Sequence, residues 1–260
     1  MLSSCFYPFG SKMKFSFLIR ACFAELIGTL ILVTAATSLK TNPIAGALTL
    51  SAAIWLAGPV SGGHLNPIVS FLMLLRKNIG IFVFLFYVMA QLIGATLGCV
   101  VGKSLLIQDS ETAGMTLVQV DTPIEQAFWS ETAFALFFSL IVLSATNDAR
   151  KEDSPFYCGS PGLTPAIIGL STHIVGGIAG DLAGGSVNPA RSLGPALANR
   201  HFDNQWIYLI APFVGALMAI IVYSLILDET MTLNRIKEYF GMRGSSRNTT
   251  SQGDDNEQKL

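Results

Sequence analysis

The sequence predicts an all-α membrane protein: six transmembrane helices plus two re-entrant half-helices, arranged as an inverted repeat. Three observations predict it. Of 260 residues, 51% are hydrophobic and only 13% are charged, where a soluble domain carries about a quarter of charged residues. Mean hydropathy is +0.54, and several stretches run to about 20 residues with one charge or none, the length of a bilayer span. Finally, one short phrase occurs twice. Gly62-Gly63-His64-Leu65-Asn66-Pro67-Ile68-Val69-Ser70 returns as Gly184-Gly185-Ser186-Val187-Asn188-Pro189-Ala190-Arg191-Ser192.

The elements follow in chain order. The first apolar run, 15–38, is long enough to span and is expected as a retained helix, with no cleaved signal peptide. The second, 44–60, follows Asn42-Pro43. Asn66-Pro67 then reads as a helix start, because Asn is a strong N-cap and Pro is tolerated at the first helical position. The resulting piece, 67–76, is too short to span and is expected as a re-entrant half-helix. Such backbone survives at membrane depth only when buried in protein or lining a water-filled cavity. Apolar segments at 80–107, 125–146 and 163–181 come next. Asn188-Pro189 opens the second half-helix, 189–199, and 205–228 is the last span.

The duplication extends beyond the phrase. Asn42-Pro43 through Gly58 matches Thr164-Pro165 through Gly180, and Tyr87, Ala90, Gly94 and Ala95 match Tyr208, Ala211, Gly215 and Ala216. Glu25 of the first span pairs with Glu131 of the fourth. Each half thus holds three spans and one half-helix. An odd number of spans inserts the second half upside down, and such folds place their site near the midplane between the repeats.

Net charge is −1, so no nucleic-acid footprint is visible. Cys5, Cys22, Cys99 and Cys158 show neither metal spacing nor a disulfide framework. No nucleophile, metal cluster or phosphate loop accompanies the buried carboxylates, so neither enzyme chemistry nor a cofactor or metal is expected. Lys12, Lys14, Arg20, Arg76, Lys77, Arg150, Lys151 and the basic residues of the C-terminal tail fall on one side of the bilayer. The positive-inside rule makes that side, and both termini, cytoplasmic. The polar tail after about Gly241 is expected to be disordered. Asn188 and Asn66 can aim amide donors at one midplane point, where two helix N-termini contribute positive potential. Arg191 is the only charge near the second Asn-Pro, and an ionisable group inside a membrane is a functional candidate by default.

These phrases, together with Ala24-Glu25-Leu26-Ile27-Gly28-Thr29, Ala90-Gln91-Leu92-Ile93-Gly94-Ala95 and Asn188-Pro189-Ala190-Arg191-Ser192-Leu193-Gly194-Pro195-Ala196, resemble the major intrinsic proteins, the aquaporins, over about residues 17–228. The resemblance implies one pore per subunit and a homotetramer in the lipid bilayer. It implies a pore centre at Asn66, Pro67, Ile68, Asn188, Pro189 and Ala190. Residues 1–14 are then a cytoplasmic N-terminal tail, 15–228 a single channel domain (repeat one about 15–107, repeat two about 125–228), and 229–260 a cytoplasmic C-terminal tail. Glu25, Glu131, His64 and Gln91 become structural supports of the loops around the Asn-Pro motifs. The stretch from Gly184 to Tyr208 is similar to the ammonia- and peroxide-permeable animal branch and to the plant vacuolar-membrane branch.

The chain departs from the family pattern at the outer constriction. The positions that join Arg191 there are Gly46, Gly176 and Gly185, where water-strict members carry bulky groups at the first two. His173, about one helical turn before Gly176, is the alternative member if the fifth span is out of register. Ile68 also replaces the usual Ala of the first motif, and either crowds the pore centre or repacks against a neighbour. The expected activity is passive permeation of water and small neutral solutes (ammonia, hydrogen peroxide, urea or glycerol), excluding protons and ions, in the plasma membrane or an intracellular one. The rivals are a strictly water-selective channel and a coupled secondary transporter using Glu25, Glu131 and Asp181.

Overall fold

The computed structural model describes residues 15–38, 43–106, 111–147 and 163–227. Both terminal tails, Lys12, Lys14, Arg150, Lys151, Cys5, Cys158 and the side chain of Asp181 lie outside the described residues. The helices are α1 Phe15–Ser38, α2 Pro43–Ser61, α3 Pro67–Leu75, α4 Ile81–Ser104, α5 Ile124–Ala145, α6 Leu163–Ala183, α7 Pro189–Asn199 and α8 Gln205–Val222, continued by one π-helical turn, Tyr223–Leu227. Every expected segment is therefore helical, with ends displaced by a few residues. Helices α1, α2, α4, α5 and α8 are each long and apolar enough to cross a membrane. α6 is 21 residues long, and its apolar stretch is Leu163–Ile178.

The two halves repeat one packing scheme. α1 lies against α2 and α4, and α5 lies against α6 and α8 in the same way. α2 meets α6 across the middle, α7 packs on α4, and α3 packs on α8. Small residues make these contacts close. A Cβ on Gly94 or Gly98 would strike the Leu26 or Leu30 carbonyl of α1. At the matching seam, a Cβ on Gly215 would strike the Thr132 carbonyl of α5. Gly169 of α6 faces the Ala47 carbonyl and Ser51 of α2, and Gly194 of α7 rests on Ala95 of α4. In lipid, where no hydrophobic force separates helix from solvent, such close backbone approach is a main source of association. Gly28 is different: it makes room for the Leu65 side chain, which precedes α3.

Polarity is distributed as a bilayer requires. Trp55, Phe82, Trp129 and Ile226 are exposed on the outer surface. Glu25, Gln91 and Glu131 are fully buried between helices. Cys99 is buried beside Val33, Ala95 and Ala190, and Cys22 is half-buried; both are free thiols.

Two glycine substitutions separate packing from mere helicity. Gly94→Ala is expected to lower the thermal midpoint of the purified protein in detergent, because overpacking a tight seam costs about 1–3 kcal/mol. A Cβ on Gly177 meets nothing within 4 Å. Gly177→Ala is therefore expected to leave the midpoint unchanged or raise it slightly, since Ala favours a helix over Gly by about 1 kcal/mol.

Candidate permeation site

The duplicated phrase forms two matching loops. Gly62 and Gly63 have φ of 93° and 63°, and Gly184 and Gly185 have 78° and 56°, all in the left-handed region. The aliphatic residue before each Asn shares that region: Leu65 at 51° and Val187 at 44°. Left-handed backbone is strained for non-glycine residues, most of all β-branched ones, by about 1–3 kcal/mol each. Something must hold these residues there, and buried carboxylates do. Glu25 accepts the backbone N–H groups of His64 and Leu65, at 2.9 and 2.7 Å. Glu131 accepts those of Ser186 and Val187, at 2.8 and 3.0 Å.

Each loop then enters its half-helix as the Asn-Pro pattern requires. Asn66 and Asn188 have extended backbones. The Oδ1 of Asn66 accepts from the Ile68 N–H at 3.0 Å. That of Asn188 accepts from the Ala190 and Arg191 N–H groups, both at 3.1 Å. Pro67 and Pro189 occupy the first helical positions, where a missing N–H is harmless.

The two caps also bind one another. Asn66 Nδ2 donates to the Val187 carbonyl at 3.0 Å, and Asn188 Nδ2 donates to the Leu65 carbonyl at 2.9 Å. The acceptors are the strained residues, so the carboxylates hold their N–H groups and the opposite cap holds their carbonyls. The half-helices consequently meet N-terminus to N-terminus and run in opposite directions. Each amide group carries two N–H donors, and the cross-bond uses one.

A cavity of about 820 Å³ runs past this junction, lined by Asn66, Asn188 and Arg191. Gly46, Gly176 and Gly185 line it too, so α2, α6 and the loop before α7 bring the three glycines to the same space as Arg191. Gly177 lines the same cavity, as does Gly180, matched in the sequence only with Gly58. His173 is half-buried and is not among the lining residues; its Nδ1 is buried without a hydrogen-bond partner. Ile68 is fully buried in the central apolar cluster with Leu65, Leu72 and Phe138. Its side chain repacks against that cluster and contributes nothing to the cavity wall.

The remaining support residues cluster around the first loop. Ser61 Oγ donates to Glu25 Oε1 at 2.6 Å, and Gln91 Nε2 donates to Glu25 Oε2 at 2.7 Å. Gln91 Nε2 also reaches Ser70 Oγ at 3.0 Å, and His64 Nδ1 lies 3.0 Å from the same hydroxyl. The His64 ring stands edge-on to Tyr87, whose hydroxyl donates to the Ser61 carbonyl at 2.9 Å. In the second half, Ser192 Oγ bonds Ser186 Oγ at 2.5 Å and Thr116 Oγ1 at 2.9 Å. Arg191 Nη1 donates to Thr116 Oγ1 and to the Gly114 carbonyl. Thr116 is absent from the expected site. It belongs to the connection between the halves, which has no counterpart in the repeat to draw attention to it.

The pattern of the family described as "Major intrinsic protein" matches residues 11–223. Aquaporin-5 of Ovis aries is 33% identical over 225 residues, covering 80% of this chain and 81% of that protein. The probable aquaporin TIP5-1 of Oryza sativa subsp. japonica is 30% identical over 203 residues, covering 75% and 72%. The solved aquaglyceroporin of Plasmodium falciparum shares the fold, with a TM-score of 0.73 at 22% identity over 81% of this chain and 97% of that one. Two half-helices joined cap to cap beside one arginine, in a chain with these relatives, establish that the protein belongs to the major intrinsic protein family and is an aquaporin-type membrane channel, not an enzyme.

Proposed function

We propose that the protein passes water and at least one small neutral solute (ammonia, hydrogen peroxide, urea or glycerol) passively in both directions, while excluding protons and ions. The reading assigns the pore centre to Asn66 and Asn188. The N-terminus of each half-helix carries about half a positive charge, so two of them at one point repel cations. The second N–H of each Asn amide is free to donate to a water oxygen there. A water that accepts from both amides turns its own hydrogens outward, which interrupts a proton wire, and the positive field adds a barrier.

The observation that carries the solute reading is the glycine lining beside Arg191. A Cβ on Gly46, Gly177 or Gly180 would meet nothing within 4 Å. These helical glycines therefore answer neither to close packing nor to a left-handed backbone, although Gly costs a helix about 1 kcal/mol relative to Ala. Leaving that space empty widens the lumen, which supports Gly46 as an open filter position; Gly176 and Gly185 line the same cavity as Arg191. Glu25 and Glu131 spend their oxygens on loop amides and neighbouring side chains. That supports a structural role for both and leaves little for ion coupling. A homotetramer with cytoplasmic termini in the plasma membrane completes the proposal; the basic residues of the sequence and the family likeness support it.

Stopped-flow volume changes of proteoliposomes test the reading. Water flux well above that of empty liposomes is expected, together with flux of at least one of ammonia, urea, glycerol or peroxide. Water flux without any solute flux would overturn the wide filter. Gly46→Phe is expected to reduce solute flux more than water flux, and an equal reduction of both would argue against Gly46 as a filter position.

A further inference from the structure

The two repeats hold their pore loops by different means, and the difference identifies a residue that the repeat does not contain. In repeat one, Gln91 of α4 ties the Ser70 hydroxyl to Glu25. The position matching Gln91 in α8 is Pro212, which has no side-chain donor. The Ser192 hydroxyl, matching Ser70, is bonded instead by Thr116 at 2.9 Å. Thr116 is 1% exposed, and its carbonyl accepts from buried Gln205 Nε2 of α8 at 3.3 Å.

We infer that Thr116 is a positioning residue for Arg191 and links it to the pore-centre Asn188, resting on the pore reading above. The hydrogen bonds form one consistent chain. Arg191 Nη1 donates to Thr116 Oγ1. The Ser192 hydroxyl is hydrogen-bonded to Thr116 Oγ1 at 2.9 Å and to Ser186 Oγ at 2.5 Å. Ser192 has one proton to give, so with that proton on Ser186 the Thr116 hydroxyl supplies the other bond. Ser186 donates to the Asn188 carbonyl at 3.0 Å. Each hydroxyl gives one proton and receives at least one, so no member can be replaced by an apolar isostere without leaving a buried group unpaired. Arg191 has no acidic partner among the described hydrogen bonds and ion pairs; the Gly114 carbonyl at 3.4 Å is its other acceptor. Among the described residues, Thr116 and the Gly114 carbonyl are therefore the two acceptors that hold the guanidinium in the cavity that Gly46 and Gly176 also line.

The test compares Thr116→Val, which keeps shape and removes the hydroxyl, with Thr116→Ser, which keeps the hydroxyl. In proteoliposomes, Thr116→Val is expected to change the ratio of urea or glycerol flux to water flux by about tenfold or more, the scale of one lost charge-assisted bond. Thr116→Ser is expected to restore the wild-type ratio. An unchanged ratio in Thr116→Val, or an equal change in both variants, overturns the inference. Arginine-guanidinium ¹⁵N spectra of the full chain in bilayers provide the second readout, with R191K identifying the resonance. Thr116→Val should shift that resonance and Thr116→Ser should not. A resonance that does not move in Thr116→Val sinks the positioning role even if the wild-type protein carries no solute, whereas absent water flux in the wild type counts against the pore reading alone.

Discussion

The fold depends on the pair of reciprocal hydrogen bonds between Asn66 and Val187 and between Asn188 and Leu65. They join two half-helices whose like-signed dipole ends would otherwise repel. They also require the carbonyls of Leu65 and Val187 to face the opposite cap, and that orientation demands left-handed backbone at both residues. The strain is borne by Glu25 and Glu131, whose buried carboxylates accept the amides that the turn leaves over. A carboxylate in the middle of a membrane helix is costly in isolation. Here the loop amides bonded to each one offset that cost while the carboxyl groups hold the strained loop.

Besides the room that Gly28 makes for Leu65, the described glycines serve at least three purposes, and the surroundings tell them apart. Gly94, Gly98, Gly169 and Gly215 bring backbones together. Gly62, Gly63, Gly184 and Gly185 supply left-handed turns. Gly46, Gly177 and Gly180 face open space. The last group also lines the cavity, which is why it speaks to the width of the lumen. The same residue type in one apolar sequence thus builds the seams, the turns and the opening.

The repeat is closer in its loop backbone than in its side chains. Both loops share their φ pattern, their caps and their carboxylate. Their hydroxyl networks diverge: His64, Ser70 and Gln91 in one half, Ser186, Ser192 and Thr116 in the other. Val69 stands where the second half has Arg191. The two networks differ around matching loops, so a symmetric frame carries an asymmetric passage.

Much of this was legible in the chain itself. Low charge, span-length apolar runs and the doubled Asn-Pro phrase determined the eight helices and their inversion, because hydrophobic length and capping chemistry are local properties. The odd number of spans per half determined that the caps would meet, since topology follows from counting. Whether Ile68 faced the lumen, whether His173 or Gly176 lined it, and which glycines were packed and which open were decided only by tertiary structure. Those outcomes depend on helix rotation and on what lies opposite. Thr116 belongs to the same class: a threonine in a connecting segment has no periodicity or motif, and only the folded chain brings it to Arg191 and Ser192.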